Sequence, residues 1–332
     1  MIKMYNFKNQ YNSIKEEIDF SIQSVLNDSA FSSGKYVQDF ENSFSNYIGS
    51  KYCIAVNNGT SALHAVLLAL DIKSTDEVLV PSFSFFATCE SVSLTGASPV
   101  FVDSDYENFN LDLEDLESKI TKSTKAIICV HLYGQPCNMD RLKDICEKYN
   151  LYLIEDAAQA HGAEYINKKV GSFGDFSCFS FYPTKNLGSY GEGGAILTNN
   201  EDYYRKLQSI RNHGSSKQYR HDIIGHNFRM SGFQGAILSV KLNYLDQWNA
   251  LRLRNAKLYN AYLGKISNIK TPELRDGYKH VFHQYVIKIQ DRDKLKKYLL
   301  EHEIDSAIYY SIPCHLQNVY KDKMSKNIIS EK

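Results

Sequence analysis

Residues 53–70 read CIAVNNGTSALHAVLLAL. A short apolar run from Cys53 to Val56 meets a tight turn at Asn57 to Thr60, and a second apolar run follows whose first turn holds Ser61 and Ala62. Strand, turn and helix in that order form the unit from which parallel sheets covered by helices are assembled. The pattern repeats outward along the chain. Strands are expected at Glu77 to Val80, Pro99 to Val102, Ala126 to Val130 and Leu151 to Glu155, with others near Ser177 to Phe181 and Ala195 to Thr198. Amphipathic stretches separate them, so the fold class is α/β. From Gly232 a long apolar-periodic segment reads as one or two helices leading out of a large domain, residues 1–249. A smaller α+β domain, residues 250–332, is expected to hold a strand near Val281 to Ile289, a helix from about Asp291 to His302 and an extended run at Asp305 to Tyr310.

Composition narrows the function classes. The chain has 332 residues, 38 basic and 38 acidic side chains and 43% hydrophobic content, as expected of a soluble globular protein of one large domain or two. Balanced charge leaves no basic footprint for nucleic acid. The longest apolar runs are too short for a membrane span and the first residues, MIKMYNFKNQYNSIKEE, lack an apolar signal core, so a cytoplasmic protein acting on small molecules is expected. Seven cysteines are scattered and never spaced as CxxC, which predicts reduced, structural thiols and no metal site.

Three stretches carry chemistry. The turn at Asn57 to Thr60 opens a helix, and helix starts present unpaired N–H groups that attract phosphate, although Thr60 or Ser61 could equally be a plain N-cap. In LYLIEDAAQAHGA an apolar strand ends in Glu155 and Asp156, where open α/β sheets place their ligands. Asp156 either caps the following helix or faces a heterocyclic nitrogen. At about 4 Å and an effective dielectric near 20 the second arrangement is worth roughly 4 kcal/mol. That is enough to keep a weakly basic pyridine nitrogen protonated at neutral pH. In SFYPTKNLGSYGEG, Lys185 sits among serine, proline and glycine after an apolar run, as a solvated loop lysine or as a buried amine made nucleophilic by a lowered pKa. Ser180, five residues earlier, could add a hydroxyl to the phosphate, and Phe85 and Phe86 in VPSFSFFATCE could stack on a flat ring or belong to the core. Phosphate turn, aromatic lid, acidic strand end and lysine together describe a site for pyridoxal phosphate, which needs a Schiff-base lysine and an acidic partner for its ring nitrogen.

In order and spacing, NNGTSAL, VPSFSFFAT, EDAAQAHGA, FYPTKNLG, GEGGAI and YRHDIIGHNFRMSGFQGAIL resemble the DegT/DnrJ/StrS-type sugar aminotransferases of fold type I, over residues 10–320. The resemblance implies that Lys185 holds the cofactor covalently, Asp156 pairs with the ring nitrogen, Gln159 lies beside the ring hydroxyl and Phe85 stacks on the ring. Gly59, Thr60 and Ser180 would hold the phosphate, with Asn227 supplied by the other subunit of a homodimer. Tyr219 and Arg220 are candidates for the nucleotide's phosphates, and His315 for the sugar. The implied reaction passes an amino group from glutamate, through the pyridoxamine form, to a nucleotide-linked keto-sugar. FYPTKNLG is most similar to enzymes acting at C3 of a dTDP-linked 3-keto-6-deoxyhexose. C4 amination, or a regulatory paralogue without turnover, is the alternative. In YYSIPCHLQ, Ser311 and Cys314 depart from the family's YPxPLHLQ. The family continues past that segment, whereas these 332 residues end in KDKMSKNIISEK, so the small domain is expected to be incomplete and the tail from Lys321 to lack order.

Overall fold

The computed structural model describes residues 1–217, 219–323 and 329–331, so the expectation for the tail falls partly outside the described residues. Seven strands form the central sheet: β1 (Tyr52–Val56), β2 (Glu77–Pro81), β3 (Ser98–Val102), β4 (Thr124–Val130), β5 (Tyr152–Asp156), β6 (Phe176–Ser180) and β7 (Gly194–Thr198). Their spatial order is β1-β7-β6-β5-β4-β2-β3. All are mutually parallel except β7, which runs antiparallel between β1 and β6. Each strand expected in the large domain is present, within two residues at either end.

Eleven helices surround the described sheet. They are α1 (Phe7–Ser13), α2 (Lys15–Asn27), α3 (Lys35–Ile48), α4 (Gly59–Ala69), α5 (Ala87–Ser93), α6 (Leu113–Ser118), α7 (Met139–Tyr149), α8 (Glu201–Arg211), α9 (Gly232–Leu242), α10 (Leu245–Leu263) and α11 (Arg292–Glu301). Side chains alternate across the strands. Ile54 and Val56 of β1 join the core that contains α4, while Cys53 and Ala55 join the core that contains Phe40 and Phe44 of α3. Helix α4 is buried nearly all round, through Ala62, Leu63, Ala65, Val66, Leu67 and Ala69. Each large apolar side chain so buried contributes roughly 1.5–3 kcal/mol. The Asn58 carboxamide caps the helix by accepting from the Ser61 amide at 2.7 Å, fixing where it begins. All seven cysteines are buried and unpaired in disulfides.

The C-terminal part departs from expectation. The chain runs through α10 across residue 250, and α11 matches the expected helix. No strand forms over residues 281–289; an isolated bridge between Lys270 and Lys288 is the sole ladder contact there. Phe282 takes a positive φ of 45°, which breaks an extended run. Its neighbours bond to a loop instead, the Val281 amide to the Gly134 carbonyl at 3.0 Å and the Gln284 amide to that of Tyr133 at 3.4 Å. Residues 305–310 likewise join no sheet.

Candidate active site

Register brings the site together. Val130 pairs with Asp156, Asp156 with Cys178, Ser180 with Gly194 and Gly194 with Val56. The carboxyl ends of β1, β4, β5 and β6 therefore lie side by side, and the loops that leave them form a bowl. This is the edge at which open α/β sheets bind ligands.

At one side of the bowl, α4 starts at Gly59, and with the Ser61 amide held by Asn58 the Gly59 and Thr60 amides remain as the kind of donors a helix start leaves unpaired. A Cβ on Gly59 would lie 2.8 Å from the Ser180 Cβ, so glycine is what lets β6 close against this turn. The result is a cradle of backbone N–H groups beside the Ser180 hydroxyl, suited to a phosphate.

Two residues back along β6, the register leads to Asp156. Its side chain is 5% exposed and accepts from the Thr88 hydroxyl at 2.8 Å and the Ala158 amide at 3.2 Å. Burial raises its pKa, against these two bonds and the nearby Lys185 charge. A buried carboxylate of this kind gains from a cationic partner. Lys185 follows β6 in a tight turn in which its amide donates to the Tyr182 carbonyl at 2.8 Å. The protein packed around the amine pulls its pKa down to about 8, while the Asp156 charge acts the other way. At neutral pH about a tenth of Lys185 is thus uncharged, far more than for an ordinary lysine, which supplies the free amine that a nucleophile toward an aldehyde requires. Phosphate cradle, buried carboxylate and depressed lysine fit a phosphorylated pyridine aldehyde.

Gln159 lies on the loop after β5. Its Oε1 accepts from the Tyr133 amide at 2.6 Å and its Nε2 donates to the Tyr310 hydroxyl at 2.9 Å. Phe85 is 57% exposed, its ring 6.2 Å from that of Tyr310, whereas Phe86 packs into the core against Tyr320. The two phenylalanines are thus separated by environment, Phe85 toward the bowl and Phe86 away from it.

The remaining candidates stand elsewhere on this chain. Tyr219, 89% exposed, and Arg220, which bonds to Asp222 at 3.0 Å, lie on a hairpin, and Asn227 is exposed where that hairpin rejoins Asn212. Among the described residues, none of the three side chains bonds to the bowl. His315 is buried against Phe101, with Nε2 3.1 Å from a Glu331 carboxylate oxygen. No group of histidine, cysteine and acidic residues among the described residues could hold a metal ion. No helix among them is long and apolar enough to cross a membrane.

Other functional groups escaped the sequence reading. Thr88, which orients Asp156, lies one turn beyond Phe85 in the quoted aromatic segment, a spacing that could have flagged it. Tyr310 reaches Gln159 across 151 positions of chain, a contact no local pattern carries. His161, in EDAAQAHGA, is fully buried with both ring nitrogens unpartnered among the described residues, and burial, with Lys185 second, drives its pKa down to about 3. It stays a neutral imidazole.

Comparison with known proteins identifies the family. Residues 12–330 match the profile of the DegT/DnrJ/EryC1/StrS aminotransferase family. The chain is 42% identical to a pleiotropic regulatory protein of Geobacillus stearothermophilus, over 96% of this chain and 86% of that one. It is 43% identical to dTDP-3-amino-3,6-dideoxy-alpha-D-galactopyranose transaminase of Aneurinibacillus thermoaerophilus, over 93% and 85%. Relatives at 41% and 38% identity are named for a UDP-linked and a GDP-linked sugar. The crystal structure of Streptomyces venezuelae DesV in complex with a ketimine intermediate superposes with a TM-score of 0.96 at 35% identity, covering 98% of this chain and 88% of that one. The chain belongs to the DegT/DnrJ/EryC1/StrS aminotransferase family, and it is a pyridoxal phosphate-dependent transaminase.

Proposed function

We propose that the enzyme transfers an amino group from L-glutamate to a nucleotide-linked keto-sugar, a dTDP-linked 3-keto-6-deoxyhexose, giving a 3-amino-3,6-dideoxy sugar for surface glycans. The observation that carries this reading is the meeting, at adjacent strand ends, of an amine held near pKa 8 and a buried carboxylate. The chemistry supplied by bound pyridoxal phosphate is an aldehyde that exchanges amines and a ring that accepts electron density. Gly59, Thr60 and Ser180 would hold its phosphate, Asp156 its ring nitrogen, Gln159 its ring hydroxyl, Phe85 its ring face and Lys185 its aldehyde. Once displaced, the Lys185 amine is placed to take and return the proton that moves during amino transfer, the work of a desolvated lysine base.

The dTDP and C3 assignments draw on FYPTKNLG and on the Aneurinibacillus relative. A panel of dTDP-3-keto, dTDP-4-keto, UDP-linked and GDP-linked keto-sugars, with glutamate as donor, tests them by product analysis. Turnover confined to a 4-keto or UDP-linked sugar overturns the assignment. The name of the Geobacillus relative favours a second reading, a regulator that keeps the cofactor without turnover. Failure of every amino acid to convert the cofactor's visible absorbance in a single turnover would select it.

We further infer a homodimer in which Asn227 completes the partner's phosphate site and Tyr219 and Arg220 hold the nucleotide. Ile224, 90% exposed on the same hairpin as Tyr219, is the kind of apolar tip that a partner covers. Mixing inactive Lys185→Ala and Asn227→Ala chains under subunit exchange should restore activity, because one site in each mixed dimer has both residues intact. No recovery after exchange confirmed by mass would remove Asn227 from the partner's site.

A further inference from the structure

Lys241 on α9 is 1% exposed, yet no carboxylate pairs with it among the described residues. Its Nζ donates to the carbonyl of Gly188 and lies 4.7 Å from the ring centre of Tyr190 and 5.9 Å from that of Trp248. Burial pulls its pKa down to about 8. A cation kept this deep costs free energy that an aliphatic side chain would not, so its one carbonyl acceptor is the clue to its role.

Gly188 is three residues past Lys185, at the tightest point of the turn, where a Cβ would lie 2.3 Å from the Pro183 carbonyl oxygen. Residues on both sides of it are tied to the same helix pair. Asn186 donates to Asn249 of α10 at 2.8 Å, and the Tyr190 amide donates to Gln234 of α9 at 2.9 Å. Every second residue after Lys185 is thus held by one polar side chain of α9 or α10, and the middle tie is the charged one. Charge-assisted bonds are the stronger kind, and the two aromatic faces favour the ammonium further.

We propose that Lys241 is a positioning residue for amino transfer: by clamping the Gly188 carbonyl it fixes the turn that presents Lys185 to Asp156. The proposal rests on the reading of Lys185 as the lysine that holds the cofactor. Two readouts on cofactor-free protein test it without turnover, namely hydrogen exchange of the Lys185, Ser189 and Tyr190 amides and the pH midpoint for reductive methylation of Lys185. In Lys241→Met, which keeps the packing and removes the donor, exchange should quicken at least about tenfold, the lower end of what one charge-assisted hydrogen bond is worth. The methylation midpoint should rise from near pH 8 toward the ordinary lysine value. With cofactor restored, kcat should fall by a similar factor while KM for glutamate stays within about twofold. Lys241→Gln, a neutral donor, should fall between the two, and it decides the matter if Lys241→Met does not fold. Exchange and midpoint equal to those of the unaltered protein, in whichever variant folds, overturn the proposal. Borohydride trapping of the cofactor on another lysine would instead remove the reading of Lys185, and it leaves the exchange result on the turn unaffected.

Discussion

Glu155 and Asp156 are neighbours at the end of β5, both buried carboxylates, and they face opposite sides of the sheet. On the Glu155 side every bond serves the fold. Its oxygens accept from His131 Nε2 at 3.0 Å and from the amides of Gly171, Phe173 and Gly174 at 2.6–2.8 Å. The Cys137 amide donates to His131 Nδ1 at 3.0 Å, so the imidazole hydrogen sits on Nε2, aimed at Glu155. Against the cost of burial these donors hold the Glu155 pKa below its ordinary value. On the Asp156 side one hydroxyl and one amide do less, and burial prevails, raising the pKa. The better-satisfied carboxylate stabilises the fold, while the under-satisfied one is left to meet a ligand cation.

That contrast can be broken experimentally, beginning where the effect is greatest. Lys185→Ala should be colourless and without turnover, and borohydride should no longer fix cofactor to the chain. A yellow, active variant would move the chemistry to another amine. Asp156→Asn should fold and bind cofactor yet lose up to about a thousandfold in kcat, since about 4 kcal/mol is at stake and each 1.36 kcal/mol is a factor of ten. Near-normal turnover would reduce Asp156 to a cap on the following loop.

Glu155→Gln inverts the pattern. Breaking a buried, fully bonded charge should cost about 3 kcal/mol in denaturant unfolding, with kcat of the surviving folded enzyme changed far less. A large kcat loss at unchanged stability would erase the distinction between the two faces.

The smallest effect concerns pH. Because the folded pKa of Glu155 lies below its ordinary value, its stabilisation is present at neutral pH and is lost as pH falls through that lowered value. Asp156 has the opposite sign. Its folded pKa is raised, so the cofactor-free protein loses stability as pH rises through the window above 3.8. Asp156→Asn without cofactor should therefore melt at a higher temperature than the unaltered protein at pH 7 and show no gain near pH 3. A lower melting temperature at pH 7 would mean that Asp156 stabilises the fold like its neighbour.

The large domain was legible because its information is local. Apolar runs of strand length, bounded by Asn, Gly and Ser, set β1 to β7, and the turn at Asn57 to Gly59 and the acidic end of β5 lie within a few residues of the elements they terminate. The segment at residues 281–289 was apolar enough to read as a strand, but its backbone bonds are made by Tyr133 and Gly134, which only the folded chain brings near. The sequence by itself determined the α/β architecture, the cofactor class and the candidates Lys185 and Asp156, since alternation, turn chemistry and motif spacing all act over short distances. Tertiary structure alone decided which of two adjacent carboxylates is satisfied and that buried Lys241 braces the turn of Lys185. Those outcomes depend on desolvation and on partners such as Thr88, His131 and Gly188, and both are set by packing between segments distant in the chain.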